Sequence, residues 1–253
     1  MPAPSTLAER ATQLAPYLSV TKPHGRAPLA TVLMMPGCGG RRPFLDTWAE
    51  AINRAGAAAV IVDSHAMRGI NRLHALSLVC TGAQMRGRER AGDLYAALAW
   101  AKTQDWIAPS PILAAGWSHG SWAIMDALAL KPGAEMRAAT GIMDLPDEPL
   151  ADLGGAFLMY PYAGVASLSA RPWRRNPRSI AIVCGRDRIV GTAIPRTALE
   201  RHRARGAPLD IHLFPTMTHA FDEPEASHPQ VKYDAAETRR AHQLMADFIA
   251  SFA

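Results

Sequence analysis

The sequence predicts an α/β fold, with a mostly parallel, doubly wound sheet and helices on both faces. Six short apolar runs do not alternate with polar residues, which is typical of strands covered on both faces. The stretches between them carry apolar residues at three- and four-residue steps, as amphipathic helices do. Alternating strands and helices favour right-handed βαβ units in one open sheet, and we expect a single domain over residues 1–253.

The predicted elements follow residues 1–25, which we expect to form an N-terminal extension or helix. The strands are predicted at 29–35, 58–63, 111–115, 156–160, 179–184 and 209–214. The helices are predicted at 43–55, 86–103, 120–130, 193–204 and 234–252. Residues 63–84 and 133–155 fit neither pattern, and we expect the first of these segments to loop over the sheet, with room for a short helix.

Composition and charge exclude several classes of protein. Nearly half of the residues (49%) are hydrophobic and 19% are charged, an ordinary composition for a globular protein. The formal net charge is only +5, and the sequence shows neither a stripe of Lys and Arg residues nor a nucleic-acid-binding motif. We therefore expect no nucleic-acid partner. No apolar stretch approaches the ~18 residues of a membrane span. The N-terminus lacks a secretory pattern, so we expect a cytoplasmic protein, or a periplasmic one if a leader has been removed.

The three cysteines do not form a known scaffold. Cys38, Cys80 and Cys184 are too few for a disulfide-rich fold, and their spacing matches no zinc site. A single disulfide between Cys38 and Cys80 is compatible with the sequence. No histidine falls in a metal-binding motif, so we expect no metal and no cofactor. The glycine-rich stretch 36–40 lacks the spacing of nucleotide-binding loops.

One pentapeptide, Gly116-Trp117-Ser118-His119-Gly120, lies between a predicted strand and a predicted helix. In that setting, G-x-S-x-G forms a nucleophile elbow, a sharp turn that displays a serine hydroxyl at the carboxyl edge of the sheet. The flanking glycines leave room for the strand and helix to approach each other. The alternative is an incidental turn that happens to contain serine.

A hydroxyl needs a base, and the base needs an acid to orient it. Asp187 and His219 each follow a predicted strand by a short loop, in the order serine, acid, histidine. The alternatives are a cap or salt bridge for Asp187 and a surface position for His219. The rival acids lie in an irregular segment, and the rival histidines lie within a strand, on helices or away from strand ends. These rivals are Asp144, Asp147, Glu148, Asp152, His119, His202, His212, His228 and His242.

The developing oxyanion also needs hydrogen-bond donors. We expect the backbone N–H groups of His119, which follows the serine, and of Cys38, in the loop after the first clear strand, to supply them. The thiol of Cys38 is a weaker candidate nucleophile. Four aromatic residues are predicted either to line a substrate pocket or to pack in the core: Trp117, Trp122, Tyr160 and Tyr162. Arg68, Arg88 and Arg186 are candidates to bind a substrate carboxylate or to form salt bridges.

These stretches together resemble the dienelactone hydrolase family of the α/β-hydrolases. The matching segments are VLMMPGCGG, RERAGDLYAALAW (88–100), GWSHG (116–120), IVCGRDRIV (182–190) and LFPTMTHAFDEP (213–224). The resemblance implies an α/β-hydrolase fold without a large cap domain, hydrolysis of small esters or lactones, and a triad of Ser118, Asp187 and His219. Members that act on dienelactone typically use cysteine as the nucleophile, so the chain resembles a serine-nucleophile subgroup.

Two further differences from that family concern the loop 36–40. Family members hold a glutamate near the first oxyanion strand to manage the thiol, whereas Met34, Met35 and Pro36 occupy that region here. Many relatives also have histidine where this chain has Pro36. Dienelactone itself is therefore not predicted as the substrate. An amidase, a peptidase, an acyltransferase with the same triad, or a non-catalytic binding protein on the same fold remain as alternative predictions.

Overall fold

The computed structural model describes residues 4–25, 27–80, 82–107 and 109–252. The strands are β1 (Leu18–Thr21), β2 (Thr31–Met35), β3 (Ala58–Val62), β4 (Ile112–Trp117), β5 (Leu153–Met159), β6 (Arg178–Cys184) and β7 (Leu209–Phe214). They form one seven-stranded sheet in the order β1-β3-β2-β4-β5-β6-β7. β1 runs antiparallel to β3, and all other neighbouring strands are parallel. The predicted α/β class and the mostly parallel sheet are confirmed.

The helices cover both faces of this sheet. They are α1 (Leu7–Leu14), α2 (Phe44–Arg54), α3 (Arg72–His74), α4 (Gly87–Ala101), α5 (His119–Ala129), α6 (Ala134–Thr140), α7 (Ala193–Ala204) and α8 (Ala235–Ala250). α2 and α8 contribute to the core on one face, and α1, α4, α5, α6 and α7 to the core on the other. In the part of the chain that the structure describes, no helix is long and apolar enough to cross a bilayer.

The central strands are buried at every position, which explains why their sequences do not alternate. Every residue of β2 and β3 is buried. Along β2, Leu33 and Met35 join the core on the α4 and α5 side, whereas Val32 and Met34 join the core on the α2 and α8 side. Both faces of a parallel sheet need apolar side chains because helices cover both.

The sequence-based boundaries differ from the structure at several places. The first predicted strand starts two residues early, because β2 begins at Thr31 and Leu29 is partly exposed before it. β5 starts at Leu153, three residues before the predicted strand, where two glycines interrupt the apolar run. α6 lies within the segment 133–155, whose sequence fits neither the strand nor the helix pattern. The strand β1 was not predicted, because an edge strand half exposed to solvent shows no apolar run.

The segment 63–84 contains more helix than predicted. It carries a 3₁₀ turn (Ala66–Arg68), α3 and a π-helical turn (Ala75–Val79). A disulfide between Cys38 and Cys80, with a Cα–Cα distance of 5.0 Å, ties the end of this segment to the loop after β2. Cys184, at the end of β6, is a free and buried thiol.

Candidate active site

Ser118 lies in a strained turn between β4 and α5. Its backbone has φ 51° and ψ −107°, a left-handed conformation that is costly for a residue with a side chain. Its N–H donates to the Met159 carbonyl oxygen (2.9 Å), which joins the turn to the end of β5. Strain of this kind persists only where the surrounding contacts hold it, so the turn is a built feature of the fold.

Close packing explains the two glycines on either side of Ser118. A Cβ on Gly116 would lie 2.4 Å from the Ser121 nitrogen, and one on Gly120 would lie 1.9 Å from the Met35 carbonyl oxygen. The Ser121 hydroxyl, which the sequence analysis did not single out, donates to the Gly116 (2.6 Å) and Met159 (2.9 Å) carbonyls. This side chain links the ends of β4 and β5 beside the turn. Its only sequence signal is its position next to the G-x-S-x-G motif.

The structure brings Ser118, His219 and Asp187 together in one chain of hydrogen bonds. The His219 Nε2 atom lies 2.9 Å from the Ser118 hydroxyl oxygen. On the other side of the ring, the His219 Nδ1 atom lies 2.7 Å from Asp187 Oδ2. The imidazole and the carboxylate are both buried, whereas Ser118 remains half-buried. The ring is therefore held between an acid and a hydroxyl, with the acid shielded from water.

Contacts between the β6 and β7 loops fix the acid and the histidine. The second carboxylate oxygen of Asp187, Oδ1, accepts from the N–H groups of Ile189 (2.9 Å) and Val190 (3.0 Å). The Arg186 N–H donates to the Met217 carbonyl (2.9 Å), which joins the two loops directly. A Cβ on Gly185 would lie 2.3 Å from the Pro215 carbonyl, so only glycine permits this approach.

The loop of residues 36–40, here called the oxyanion loop, runs beside Ser118. A Cβ added at Gly37 would lie 3.8 Å from the Ser118 Cβ atom. Each of the first three carbonyls of the loop has a donor: Arg90 for Pro36 (2.9 Å), the Gly40 N–H for Gly37 (3.2 Å) and His65 for Cys38 (3.0 Å). Burial, followed by the charge of Arg90, lowers the pKa of His65 to about 3, so its ring is neutral and donates one N–H.

The oxyanion loop leaves the N–H of Cys38 available. Among the described residues, no backbone acceptor is found for this group. His119 is the first residue of α5, where a helix leaves its N–H groups without intrahelical acceptors. Within the described residues, both N–H groups predicted as oxyanion donors thus have no backbone acceptor; His119 follows Ser118 directly, and Cys38 follows Gly37, which lies beside Ser118. The Cys38 thiol is bound in the disulfide, which removes it as a candidate nucleophile.

Several of the rival acids and histidines have other partners. Asp144 accepts from the Leu7 N–H (2.6 Å) at the start of α1, and Asp152 pairs with Lys102 (2.9 Å). His202 stacks on Trp173, and His242 packs against Trp48. Within the described residues, no cluster of three or more His, Cys, Asp or Glu side chains could hold a metal ion.

The four aromatic residues divide into two pairs. Trp117 and Tyr160 are only 1% and 2% exposed, and their polar atoms donate to Asp222 (3.1 and 2.7 Å). The structure therefore corrects the pocket role for these two side chains, which pack in the core on the α2 and α8 side. Trp122 and Tyr162 contact each other with ring centroids 4.7 Å apart, and Tyr162 is half-buried. Trp122 is itself only 3% exposed and its indole N–H donates to Asp126 (2.8 Å), so of the four only Tyr162 remains a candidate pocket wall.

Arg68 does not have a free guanidinium to bind substrate. It pairs with both carboxylate oxygens of Asp93 at 2.8 and 2.9 Å. The carboxylate role is therefore corrected to a salt bridge for this residue. Arg186 is exposed, and Arg88 is half-buried.

Asp222 is a buried carboxyl group that the sequence analysis missed. It accepts from Trp48 (2.8 Å), Trp117 and Tyr160, and burial raises its pKa. The Tyr160 ring in turn meets the His219 ring edge-on at 4.7 Å. Asp222 therefore anchors the aromatic side chain that packs behind the imidazole. Its only sequence signal is its position three residues after His219.

Two cavities differ in their relation to this site. A cavity of about 150 Å³ adjoins the oxyanion loop and is lined by Gly39, Gly40, His65 and nearby arginines. A larger one, of about 360 Å³, is lined by Lys131, Glu135, Arg171 and neighbouring residues. Neither cavity is lined by any of the three hydrogen-bonded residues Ser118, Asp187 and His219. Cavity volume therefore gives no reason to place the active site in either of them.

Comparisons with known proteins bear on the fold and on the C-terminal part of the sequence. Residues 152–253 match the model of the dienelactone hydrolase family. A search of curated protein sequences found no significant match. Among solved structures, a protein of Klebsiella pneumoniae subsp. pneumoniae MGH 78578, provisionally named a dienelactone hydrolase, superposes with a TM-score of 0.68 at 14% identity, covering 92% of both chains.

Structures of an esterase from Thermogutta terrifontis, a Planctomycetes species, superpose equally well. The butyrate-bound form has a TM-score of 0.67 at 14% identity, over 93% of this chain and 89% of that one. The form phosphonylated by cyclosarin has a TM-score of 0.68 at the same identity and coverage. At such low identity these likenesses show the fold alone, and they confirm the α/β-hydrolase fold. The family match confirms the predicted resemblance over residues 152–253.

Proposed function

We propose that this chain, whose residues 152–253 match the model of the dienelactone hydrolase family, is a serine hydrolase of small carboxylic esters or lactones. One observation carries the proposal: a single imidazole lies 2.9 Å from the Ser118 hydroxyl and 2.7 Å from the Asp187 carboxylate. Nucleophile, base and orienting acid are within hydrogen-bond distance of one another, as this chemistry requires. The family description and the esterase names of the structural neighbours support the same reaction class.

Each triad residue has one role in this proposal. Ser118 attacks the ester carbonyl while His219 Nε2 takes the hydroxyl proton. Asp187 holds the Nδ1–H of the ring and stabilises the imidazolium that forms. His219 then gives the proton to the leaving alcohol, and a water molecule cleaves the acyl-enzyme by the same route. The peptide N–H groups of Cys38 and His119 bind the oxyanion in both steps.

The proposed substrate is small. The Thermogutta terrifontis esterase has been solved with butyrate and with propionate, both short acids. The adducts of that esterase with sarin and paraoxon support our expectation that organophosphates react with this chain as well.

A fluorophosphonate probe tests the proposal, because it labels only an activated serine. We expect wild-type protein to be labelled and to hydrolyse p-nitrophenyl esters from acetate to octanoate, fastest with the short acids. Ser118→Ala should lose labelling and reduce kcat by about 10⁵-fold or more. Ser251→Ala provides a matched control, since that serine is exposed just after the end of α8 and should leave labelling intact.

The outcomes separate the alternative functions. A protein that is not labelled and does not hydrolyse esters would indicate a non-catalytic binder. Hydrolysis of p-nitroanilides at rates comparable with the esters would indicate an amidase or peptidase instead. Transfer of the acyl group to an added alcohol in preference to water would indicate an acyltransferase.

The disulfide bears on where the protein works. Disulfides persist in oxidising compartments and are rare in the cytosol. Of the two locations predicted from the sequence, the Cys38–Cys80 bond favours the periplasm over the cytoplasm. Alkylation of free thiols in cell fractions, followed by mass spectrometry, tests this. In the fraction that contains the protein, Cys38 and Cys80 are expected to remain unalkylated because they are bonded to each other.

A further inference from the structure

Arg90, on α4, is a fully buried cation that forms no ion pair with a carboxylate in the part of the chain that the structure describes. Its side chain is 0% exposed. Its Nη1 atom donates to the Pro36 carbonyl (2.9 Å) and to His119 Nδ1 (3.1 Å). Its Nε and Nη2 atoms have no hydrogen-bond partner among the described residues. Burying an unpaired charge is costly, so this guanidinium requires an explanation beyond packing.

The nearest carboxylate on the same helix is already engaged. Asp93 accepts two hydrogen bonds from Arg68 (2.8 and 2.9 Å) and lies 3.6 Å from Arg10. Among the described residues, no ion pair includes Arg90. Burial lowers the pKa of Arg90 to about 10, so the group still carries its charge at neutral pH. Asp93 and Asp63 attract this charge, but no carboxylate among the described residues forms an ion pair with it directly.

The two acceptors of Arg90 belong to the two segments that carry the proposed oxyanion donors. Pro36 begins the oxyanion loop, two residues before Cys38. His119 follows Ser118 and offers its own backbone N–H. Burial, followed by the charge of Arg90, lowers the pKa of His119 well below its usual value, so the ring is neutral and its Nδ1 accepts. One guanidinium thus holds both segments at once.

Glycine at the start of α4 permits this placement. A Cβ on Gly87 would lie 2.4 Å from the indole of Trp122 on α5. The first turn of α4 therefore packs directly against α5, one turn before Arg90. The Trp122 ring also contacts His119, with centroids 4.7 Å apart. The position of the guanidinium behind the elbow is fixed by the packing of these two helices.

We propose that Arg90 is a positioning residue of the oxyanion hole, which joins the Cys38 and His119 segments and places a positive charge behind them. The inference rests on the proposed hydrolase function. As negative charge develops on the substrate oxygen, the unpaired guanidinium becomes better compensated, so the interaction is stronger in the transition state than in the ground state. Arg90 acts through its two neighbours and does not touch the substrate.

Kinetics of Arg90→Met and Arg90→Lys test this role. Loss of one oxyanion donor costs about 10²–10³ in kcat, so a residue that positions the donors is expected to cost about 10- to 100-fold. We expect Arg90→Met to lose this much in kcat, with KM within about threefold of wild type. Arg90→Lys keeps the positive charge but has a single donor nitrogen, so its kcat should lie between those of wild type and Arg90→Met.

A boronic acid inhibitor provides a readout that packing alone would not change. Its adduct with serine is tetrahedral and negatively charged, so its inhibition constant should rise in parallel with the fall in kcat/KM. Arg86→Met, an exposed arginine just before α4, is the matched control and should leave both quantities unchanged. Thermal melting establishes that each variant is folded, and Arg90→Gln replaces Arg90→Met if the apolar variant does not fold.

The results distinguish this inference from the proposed function. If wild-type protein hydrolyses esters and folded Arg90→Met has the wild-type kcat, only the role of Arg90 is overturned. Equal losses in Arg90→Lys and Arg90→Met, or a loss confined to KM, overturn it as well. A wild-type protein that is inert towards esters and the fluorophosphonate probe overturns the proposed function first, and this inference with it.

Discussion

Opening the Cys38–Cys80 disulfide is expected to lower the free energy of unfolding by about 4 kcal/mol. The two cysteines are 42 residues apart in sequence. In the chain-entropy description, cross-linking a loop of that length removes about 13 cal/mol/K from the unfolded ensemble, which is about 4 kcal/mol at 25 °C. Because the unfolded ensemble is more restricted with the bond in place, the effect should appear in equilibrium unfolding.

Urea unfolding followed by tryptophan fluorescence measures this effect. Wild-type protein should unfold at a lower urea concentration when dithiothreitol is present, and Cys80→Ala should unfold near the midpoint of the reduced wild type. Adding dithiothreitol to Cys80→Ala serves as the control and should change nothing. If oxidised and reduced wild type share one midpoint, the disulfide does not contribute through the unfolded chain, and the reasoning is refuted.

Two further predictions concern the acid and a buried histidine. Asp187→Asn should reduce kcat by about 10³- to 10⁴-fold on a p-nitrophenyl ester, because an amide cannot stabilise the imidazolium. The two N–H groups that donate to Oδ1 should keep the loop folded in this variant. A kcat within tenfold of wild type would argue against the triad. His65 has a pKa of about 3 in the folded chain against an ordinary value of 6.5. Below pH 6.5 the unfolded chain therefore binds more protons than the folded one, and stability falls as pH falls towards 3, by up to about 1.4 kcal/mol per pH unit. His65→Gln should make the dependence between pH 6.5 and 4.5 shallower in urea unfolding, and an unchanged slope would contradict the assignment.

The central part of the fold could be predicted because its sequence pattern follows directly from its burial. β2, β3 and β4 are apolar at nearly every position, since helices cover both faces of the sheet. Their boundaries agree with prediction to within two residues. The sequence pattern does not predict β1, because it is a half-exposed edge strand. Its pairing with β3 depends on a contact distant in sequence. Local patterns carry no information about such a partner.

In the candidate site as well, some residues could be predicted from local sequence and others depend on contacts distant in sequence. Ser118, Asp187 and His219 each follow a strand, and parallel strands bring their carboxyl ends to one edge, so chain position alone was informative. The sequence leaves both a pocket role and core packing open for Trp117, because its place beside Ser118 does not determine which face of the sheet its side chain joins. Arg90 and Asp222 were missed because their importance lies in contacts with residues 29 or more positions away, such as His119 and Tyr160.

The burial of Cys184 has a practical consequence for experiments on this molecule. Its thiol is sealed in the core, and burial raises its pKa well above the usual value, so little reactive thiolate forms. The other two sulfurs are bonded to each other. A maleimide dye added to the native, oxidised protein should therefore find almost nothing to react with, and any fluorescence it gains directly reports breakage of the bond that anchors the loop beside the elbow serine.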